Sequence, residues 1–511
     1  MTIQDTTSQI IFLFEGLVRY LQPGPLVLNR TSGQEVLQFD VQAQFFYRLS
    51  ATHAKLSLPV TLIFDIGKTT KKIVVFDNEF HVVEEQTVQF KETRDEEGFP
   101  SEDLDAVSSW VNEVLNSFCQ NPKYRVTHVN FSTYGASMVH LDHNGKAILP
   151  FINYLKPLPA DVKEKFLGDY DNGEGICQST ASPYLGMLNS GLQLYWLKNK
   201  KPDIFSNIST SLHFPQYFSS MLTNQRMADI TSVGCHTMLW NFGANDYHAW
   251  VDKEDLRKLF PKIYNTDKTI DYRIIDKSVT VGIGVHDSSA ALMPYLVVMK
   301  EKFLLLSTGT WNICFNPFNH QLLTQDELSQ DCLCYMTFDG KPVKASRIFL
   351  GHEHELQQNA IAAHFKVDPD DYKAIRFNEN LYTKISEGKS TDFKPLGMQG
   401  TGPFLVSTPE STDYEGLGTF EEAQHHLIRQ LVRWQKISID LLDPEFDVNN
   451  IILVGGFTKS NLFLEIMKRE LPQRKILVSD HPRATALGAA WLVRGKDSYS
   501  DKKSLLNVIP A

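Results

Sequence analysis

Cysteine is scarce in this chain, with six among 511 residues. Cys119, Cys177, Cys235, Cys314, Cys332 and Cys334 are scattered, and no C-x-x-C pair occurs. That excludes a disulfide scaffold and fits reduced thiols in a cytoplasmic setting. Cys332-Leu333-Cys334 suits a strand alternating across a sheet, because the further ligands that a metal site needs are missing at suitable spacing. Long apolar runs are also absent: nothing approaches the ~18 residues of a membrane span. Residues 1–21 have neither a basic leader nor a small-residue cleavage site, so a signal peptide is not expected. Positive charge is in deficit, with 50 Lys and Arg against 60 Asp and Glu. A nucleic-acid partner needs a concentrated basic face, and none is visible.

What is present belongs to a globular protein: 42% hydrophobic and 22% charged residues, with a net charge of -10. The length calls for two domains or slightly more. One local pattern occurs twice, about 240 residues apart. Leu62-Ile63-Phe64 runs into Asp65-Ile66-Gly67-Lys68-Thr69-Thr70, and Leu304-Leu305-Leu306 runs into Ser307-Thr308-Gly309-Thr310-Trp311. Each is an apolar strand entering a glycine turn lined with hydroxyls. Glycine lets a backbone approach a phosphate, and the flanking amides and hydroxyls can donate to it.

Around these loops the periodicity alternates between strand and helix. Residues 61–65, 73–77 and 82–90 read as a strand meander, 104–118 as a helix and 126–132 as a buried strand. A helix is expected over 185–198. In the second half, strands are expected over 303–306 and 451–454, and helices over 424–442, 462–471 and 484–493. Meanders alternating with helices in both halves indicate an α/β architecture built by duplication. The expected divisions are an appendage over 1–58, a first domain over 59–297, a second over 298–495 and a tail over 496–511, with the boundary near Pro294 to Glu301.

Several residues carry chemistry. Asp65, at a strand end, can hold Mg²⁺ through water, and Thr69, Thr70 and Lys72 can contact phosphate oxygens. A plain hairpin produces the same D-x-G turn. Gly282-Ile283-Gly284-Val285-His286-Asp287 presents Asp287 at the start of an Ala-containing helix, either as a functional carboxylate near the positive helix end or as a simple N-cap. His286 reads as a structural or surface residue. Gly455-Gly456, before another helix, lets a nucleobase or ribose lie against the backbone. Gly351-His352-Glu353-His354-Glu355 reads as a solvated helix start, and His425-His426 as surface.

In this order, the four motifs resemble the FGGY family of carbohydrate kinases over roughly residues 59–495. The resemblance implies two ribonuclease-H-like domains of the actin and Hsp70 type, with the active site in the cleft between them. It makes Asp287 the catalytic base and Asp65 the residue nearest the metal. Thr69, Thr70, Lys72, Gly309, Thr310, Gly455 and Gly456 become the ATP contacts. Lys68 stands where the family often has a small or hydroxyl residue. Pro215 to Thr223 and Val285 to Ala290 are similar to segments of L-rhamnulose and L-fuculose kinases. In those enzymes an aromatic-Gly-Val-Asp run lies beside the sugar. This chain has Tyr134, Gly135, Ala136 and Ser137 there, so Tyr134, Gly135 and Ser137 join Asp287 as expected substrate contacts. Asn153, Tyr154 and Lys156 are further candidates.

The expected activity is phosphorylation of a ketose or deoxyketose by ATP with Mg²⁺. The partner would be a small sugar rather than nucleic acid or membrane, and a homodimer is compatible with the sequence. The competing readings are another substrate of the family, a non-catalytic nucleotide-dependent sugar sensor, and an ATPase acting on protein.

Overall fold

The meander expected after Pro59 forms because its apolar positions alternate, leaving Val60, Leu62 and Phe64 buried beside Ile73 and Val75. In the computed structural model, β1 (Leu58–Ile66), β2 (Lys71–Phe76) and β3 (Val82–Val88) pair antiparallel in sequence order. Helix α1 (Leu104–Gln120) follows, capped by Asp103, whose side chain accepts from the Ala106 amide. Strand β4 (Tyr124–Thr133) then returns parallel to β1, with Asp65 opposite Ser132. Strands β5 (Met138–Leu141) and β6 (Thr210–His213) pair in a separate small sheet. Helix α2 (Phe214–Thr223) leads on to β7 (Thr269–Ile274), β8 (Lys277–Gly282) and the two-residue β9 (Val285–His286). The first large sheet has the order β7-β8-β4-β1-β2-β3, with β9 also on β4.

Helix α3 (Asp287–Val298) leads out of the first lobe, and the second lobe repeats the plan. Strands β10 (Phe303–Thr308) and β11 (Asn312–Asn316) form a hairpin. Strands β12 (Leu333–Met336) and β13 (Pro342–Ile348) extend it, and helices α4 (Leu350–Phe365) and α5 (Phe420–Leu442) cover it. Strand β14 (Asn450–Gly455) returns parallel to β10, as β4 does to β1. After α6 (Asn461–Glu470) come β15 (Lys475–Ser479), α7 (Ala484–Arg494) and β16 (Val508–Pro510). The order is β12-β13-β11-β10-β14-β15-β16. An antiparallel run with a parallel return strand beside its first strand, present twice, is the duplicated α/β fold expected from the sequence.

The structure describes residues 57–148, 151–171, 175–388, 393–398, 402–404, 412–499 and 503–511. Apart from its last two residues, the expected appendage over 1–58 lies outside them. Residues 58–511 form one compact unit. No described helix is long and apolar enough to cross a membrane.

Several local expectations need correction. The helix expected from 185 begins at Ser190, after a 3₁₀ turn, and residues 190–197 are buried on all sides, so it is not amphipathic. Pro294 lies inside α3 rather than at its end. His425 and His426, expected at the surface of α5, are buried. Residues 508–510 add an edge strand to the second sheet.

The lobes are joined where α3 crosses α7. Pro294 has no N–H to give the Ala290 carbonyl, the helical partner four residues back. Gly488 lies against that same carbonyl, so closely that a Cβ at 488 would overlap its oxygen. Ala486, Leu487, Ala489 and Ala490 are fully buried around the crossing. The Asn130 side chain also reaches across from β4 to donate to the Ala489 carbonyl, at 2.9 Å. Gly to Ala inside a helix ordinarily stabilises by about 1 kcal/mol. Gly488→Ala is expected to do the reverse and lower unfolding stability by about 1–3 kcal/mol, the usual cost of overpacking. A urea titration of both proteins checks the sign.

Candidate active site

Asp65 ends β1, and Asp287 opens α3. His286 occupies the N-cap position without a side-chain cap bond, so Asp287 is the first helical residue rather than the cap. The Asp287 Oδ1 atom accepts from the Ser288 amide at 2.6 Å, and its side chain keeps 34% of its surface open. Burial pushes its carboxyl up to about 6. Asp65 is driven higher, to about 7, first by burial and then by the negative charge of Asp287, while Lys72 opposes the shift. The fold therefore brings two carboxyls from distant sequence positions within each other's field, with Lys72 beside them.

Behind Asp287 the packing is close. The Nε2 atom of His286 lies 3.2 Å from Asp287 Oδ1 and 3.4 Å from Cys235 Sγ. Its ring stacks on Tyr335 of the second lobe at 5.5 Å, and burial lowers its pKa to about 3, so it is neutral. A Cβ at Gly135 would come within 2.8 Å of His286 Nε2. Gly135 thus lets β4 end directly against the residue that precedes Asp287. Tyr134 and Ser137 are buried. The Tyr134 hydroxyl donates to Glu102 Oε2 at 3.0 Å, and the Ser137 carbonyl accepts from the Phe214 amide. The expected sugar contacts at Tyr134 and Ser137 therefore back the wall of the site. Tyr154 is half-buried, and its phenol pKa is raised by burial and by the charges of Asp287, Glu92 and Glu102. Asn153 and Lys156 are buried.

The first glycine loop is closed by a bond from the Gly67 amide to the Thr70 carbonyl, at 3.0 Å. Thr69 is exposed, and Thr70 and Lys72 are half-buried. Two of the loop's lysines are occupied elsewhere. Lys68 pairs with Glu92 at 2.6 Å near the surface, and Lys71 pairs with Glu102 at 2.8 Å, with side chains 2% and 3% exposed. Removing one partner of such a buried pair costs about 3–5 kcal/mol, because the other is left uncompensated.

In the second lobe, Gly309, Thr310 and Gly456 line one cavity of about 450 Å³, the size of a small-molecule site. His354, Tyr372, Gln424 and Phe457 share it, with Lys373, Arg376 and Lys459 supplying positive charge. Gly455 plays a different part. Its φ is 94°, and a Cβ there would overlap the Thr308 carbonyl, so it permits the β10–β14 pairing beside the cavity. Thr69, Thr70 and Lys72 do not line this cavity; they stand beside Asp65 in the other lobe.

The sequence reading missed His354 and Gln424. The stretch from Gly351 to Glu355 is not a solvated helix start. Glu353 is fully buried and accepts from the amides of Leu396, Gly397 and Met398. His354 faces the cavity, its rings packed edge-on with Tyr372 and Phe457. Gln424 exchanges two hydrogen bonds with Gln358, at 2.6 and 2.7 Å, and Gln358 reaches His354 at 3.1 Å. A glutamine on the core stripe of α5 was the available signal.

Comparison with known proteins decides the family. Residues 60–292 match the N-terminal domain of the FGGY family of carbohydrate kinases, and residues 300–502 match the carbohydrate kinase FGGY C-terminal domain. The chain belongs to the FGGY family of carbohydrate kinases. It is 23% identical to an L-fuculokinase of Haemophilus influenzae, over 85% of this chain and 94% of that protein. It is 24% identical to a gluconokinase of Bacillus subtilis, over 84% of this chain and 86% of that protein. The crystal structure of a carbohydrate kinase from Novosphingobium aromaticivorans superposes with a TM-score of 0.71 at 22% identity, covering 84% of this chain and 91% of that one. This FGGY protein is an ATP-dependent sugar phosphotransferase with the two-domain fold of the actin and Hsp70 type.

The environment of Asp65 suits Mg²⁺. Burial and the charge of Asp287 raise Asp65 despite the opposing charge of Lys72, and a divalent cation would add the positive charge that favours its ionised form. No group of three or more His, Cys, Asp or Glu side chains is assembled for a metal among the described residues. Such a cation would be held through water and phosphate oxygens as well as carboxylate, the usual manner for Mg²⁺.

A Cβ at Gly456 meets nothing within 4 Å, so a side chain there projects into open space at the cavity. Gly456→Val is expected to leave the unfolding midpoint unchanged. It should weaken ADP binding by about tenfold or more, in line with the ~1–3 kcal/mol cost of overfilling a site. Calorimetric titration with ADP and a thermal melt of the same variant test both halves.

Proposed function

We propose that this enzyme transfers the γ-phosphoryl group of ATP to a hydroxyl of a ketose or deoxyketose such as L-fuculose or L-rhamnulose, in the cytoplasm. The observation that carries the site assignment is the meeting of Asp287 and Asp65 at the ends of a helix and a strand. Gly309, Thr310 and Gly456 line a cavity in the second lobe that supports the nucleotide side of this reading. The preference for a deoxyketose rests on the likeness of Pro215 to Thr223 and Val285 to Ala290 to kinases of such sugars, and on the similarity to an L-fuculokinase over most of both chains. Ser137 stands where those enzymes carry a carboxylate and is buried behind the wall, so it offers the sugar no such acceptor.

In this mechanism Asp287 accepts the proton of the attacking hydroxyl as the oxygen forms its bond to phosphorus. Its partly open carboxyl, next to the positive end of α3, can hold that proton and release it. The transition state of phosphoryl transfer is loose, so alignment and charge neutralisation provide most of the acceleration. Thr69, Thr70 and Lys72 from one lobe and Gly309 and Thr310 from the other would hold the phosphates. The nucleoside would lie along Gly456 between Phe457, Tyr372 and His354. Mg²⁺, held near Asp65, would neutralise charge on the phosphate oxygens. Gly135, Ser137 and Tyr134 would shape the sugar side from behind, with Tyr154 in front of them.

A panel of L-fuculose, L-rhamnulose, xylulose, ribulose and glycerol, assayed for ADP release, tests the substrate class. Release without any sugar would favour an ATPase, and no release with any sugar would favour a sensor. With the accepted sugar, Asp287→Asn is expected to lower turnover by about two to four decades, the span of a general base, while ADP still binds. Near-normal turnover removes Asp287 from that role. The pH profile follows from the raised carboxyl. The base must be ionised, so kcat/KM should be level above neutrality and fall about tenfold per unit below about pH 6. A profile flat to pH 4.5 contradicts a base in this environment.

A further inference from the structure

The hairpin formed by Thr93–Arg94 and Pro100–Ser101 has bonds on both of its sides. At one side it holds the first phosphate loop, through Glu92 to Lys68 at 2.6 Å and Glu102 to Lys71 at 2.8 Å. Lys71 Nζ also donates to the Lys68 carbonyl at 3.1 Å, so the buried ion pair pins the loop backbone itself. At the other side it holds the segment carrying Asn153, Tyr154 and Lys156. Ser101 Oγ donates to the Phe151 carbonyl at 2.5 Å, Asn153 Nδ2 donates to the Pro100 carbonyl at 3.0 Å, and Lys156 pairs with Asp95. Glu102 is the point where the two sides meet. Its carboxylate binds Lys71 and also accepts from the Tyr134 phenol, whose ring packs edge-on against Tyr154 at 5.9 Å.

We propose that Glu102 is a positioning residue: through Lys71 and Tyr134 it locks the acceptor wall to the donor-phosphate loop, so that the sugar hydroxyl is set relative to the phosphate. The inference rests on the sugar-kinase reading above. It also gives Lys68, the residue that departs from the family pattern, a place in the strap rather than on the nucleotide. Two features separate it from ordinary core packing. The charges are fully paired in a closed three-residue chain, and each end of that chain lies on a different substrate's side of the site. A buried, satisfied network of this kind holds its members in one geometry. Misplacement of a reacting group by about 1 Å can cost about a hundredfold in rate.

Two variants test this. Tyr134→Phe deletes only the phenol oxygen, and the double variant Lys71→Met with Glu102→Gln removes both buried charges together. With an accepted panel sugar, both are expected to lower kcat by about tenfold or more, because the network supplies alignment, while ADP affinity of Tyr134→Phe stays within about twofold. An unchanged kcat, or a loss of about tenfold in ADP affinity in Tyr134→Phe, overturns the proposal. Tyr134→Phe keeps the kinetic test valid if the double variant does not fold. If no panel sugar yields ADP with the unaltered protein, the substrate reading fails by itself, and hydrogen–deuterium exchange of either variant decides the strap. Faster exchange in residues 151–156 with unchanged exchange in 303–316 supports it, and unchanged exchange in 151–156 overturns it.

Discussion

Two carboxyls that repel each other sit at the centre of this enzyme. Asp65 and Asp287 come from the end of a strand and the start of a helix more than two hundred residues apart. Both are pushed above the ordinary carboxylate range by burial. Holding them together without full compensation costs folding energy, and the close crossing of α3 and α7 helps the fold to bear it. The Ala290 carbonyl that Pro294 cannot engage, the missing Cβ of Gly488 and the alanines around them fix α3, and α3 fixes Asp287. An arrangement that is unfavourable for the empty protein suits one that binds a cation and a polyphosphate.

The duplicated sheets give each substrate a separate support. In the first lobe, Gly135 lets β4 end against His286, and neutral His286, stacked on Tyr335, backs Asp287. In the second lobe, Gly455 lets β14 pair closely with β10, and Gly456 is left free to face the cavity. The paired glycines thus have different tasks, one in strand pairing and one in ligand access. Their adjacency made them look alike in the sequence.

Local patterns made much of this legible. The alternation of β1 to β3, the stripe of α1, the apolar runs of β4, β10 and β14, and the small residues of α7 depend on neighbours a few positions away, so they survive as periodicity. The glycine-hydroxyl loops were legible for the same reason. The misreadings have a common cause. His425, His426 and Glu353 looked solvent-facing because they are polar, but all three are buried, His425 and Glu353 with bonds to segments distant along the chain. The helix expected from 185 looked amphipathic, although its polar side is also covered.

From the sequence alone came the duplication, the order of the motifs and the chemical character of Asp65, Asp287 and the glycine loops, because each is written in a short stretch. Only the tertiary structure decided that Asp287 comes within the field of Asp65, that Gln424 and His354 share the cavity with Gly456, and that Lys71 is held by Glu102. Those outcomes depend on burial and on long-range charge pairing, and neither has a local signature.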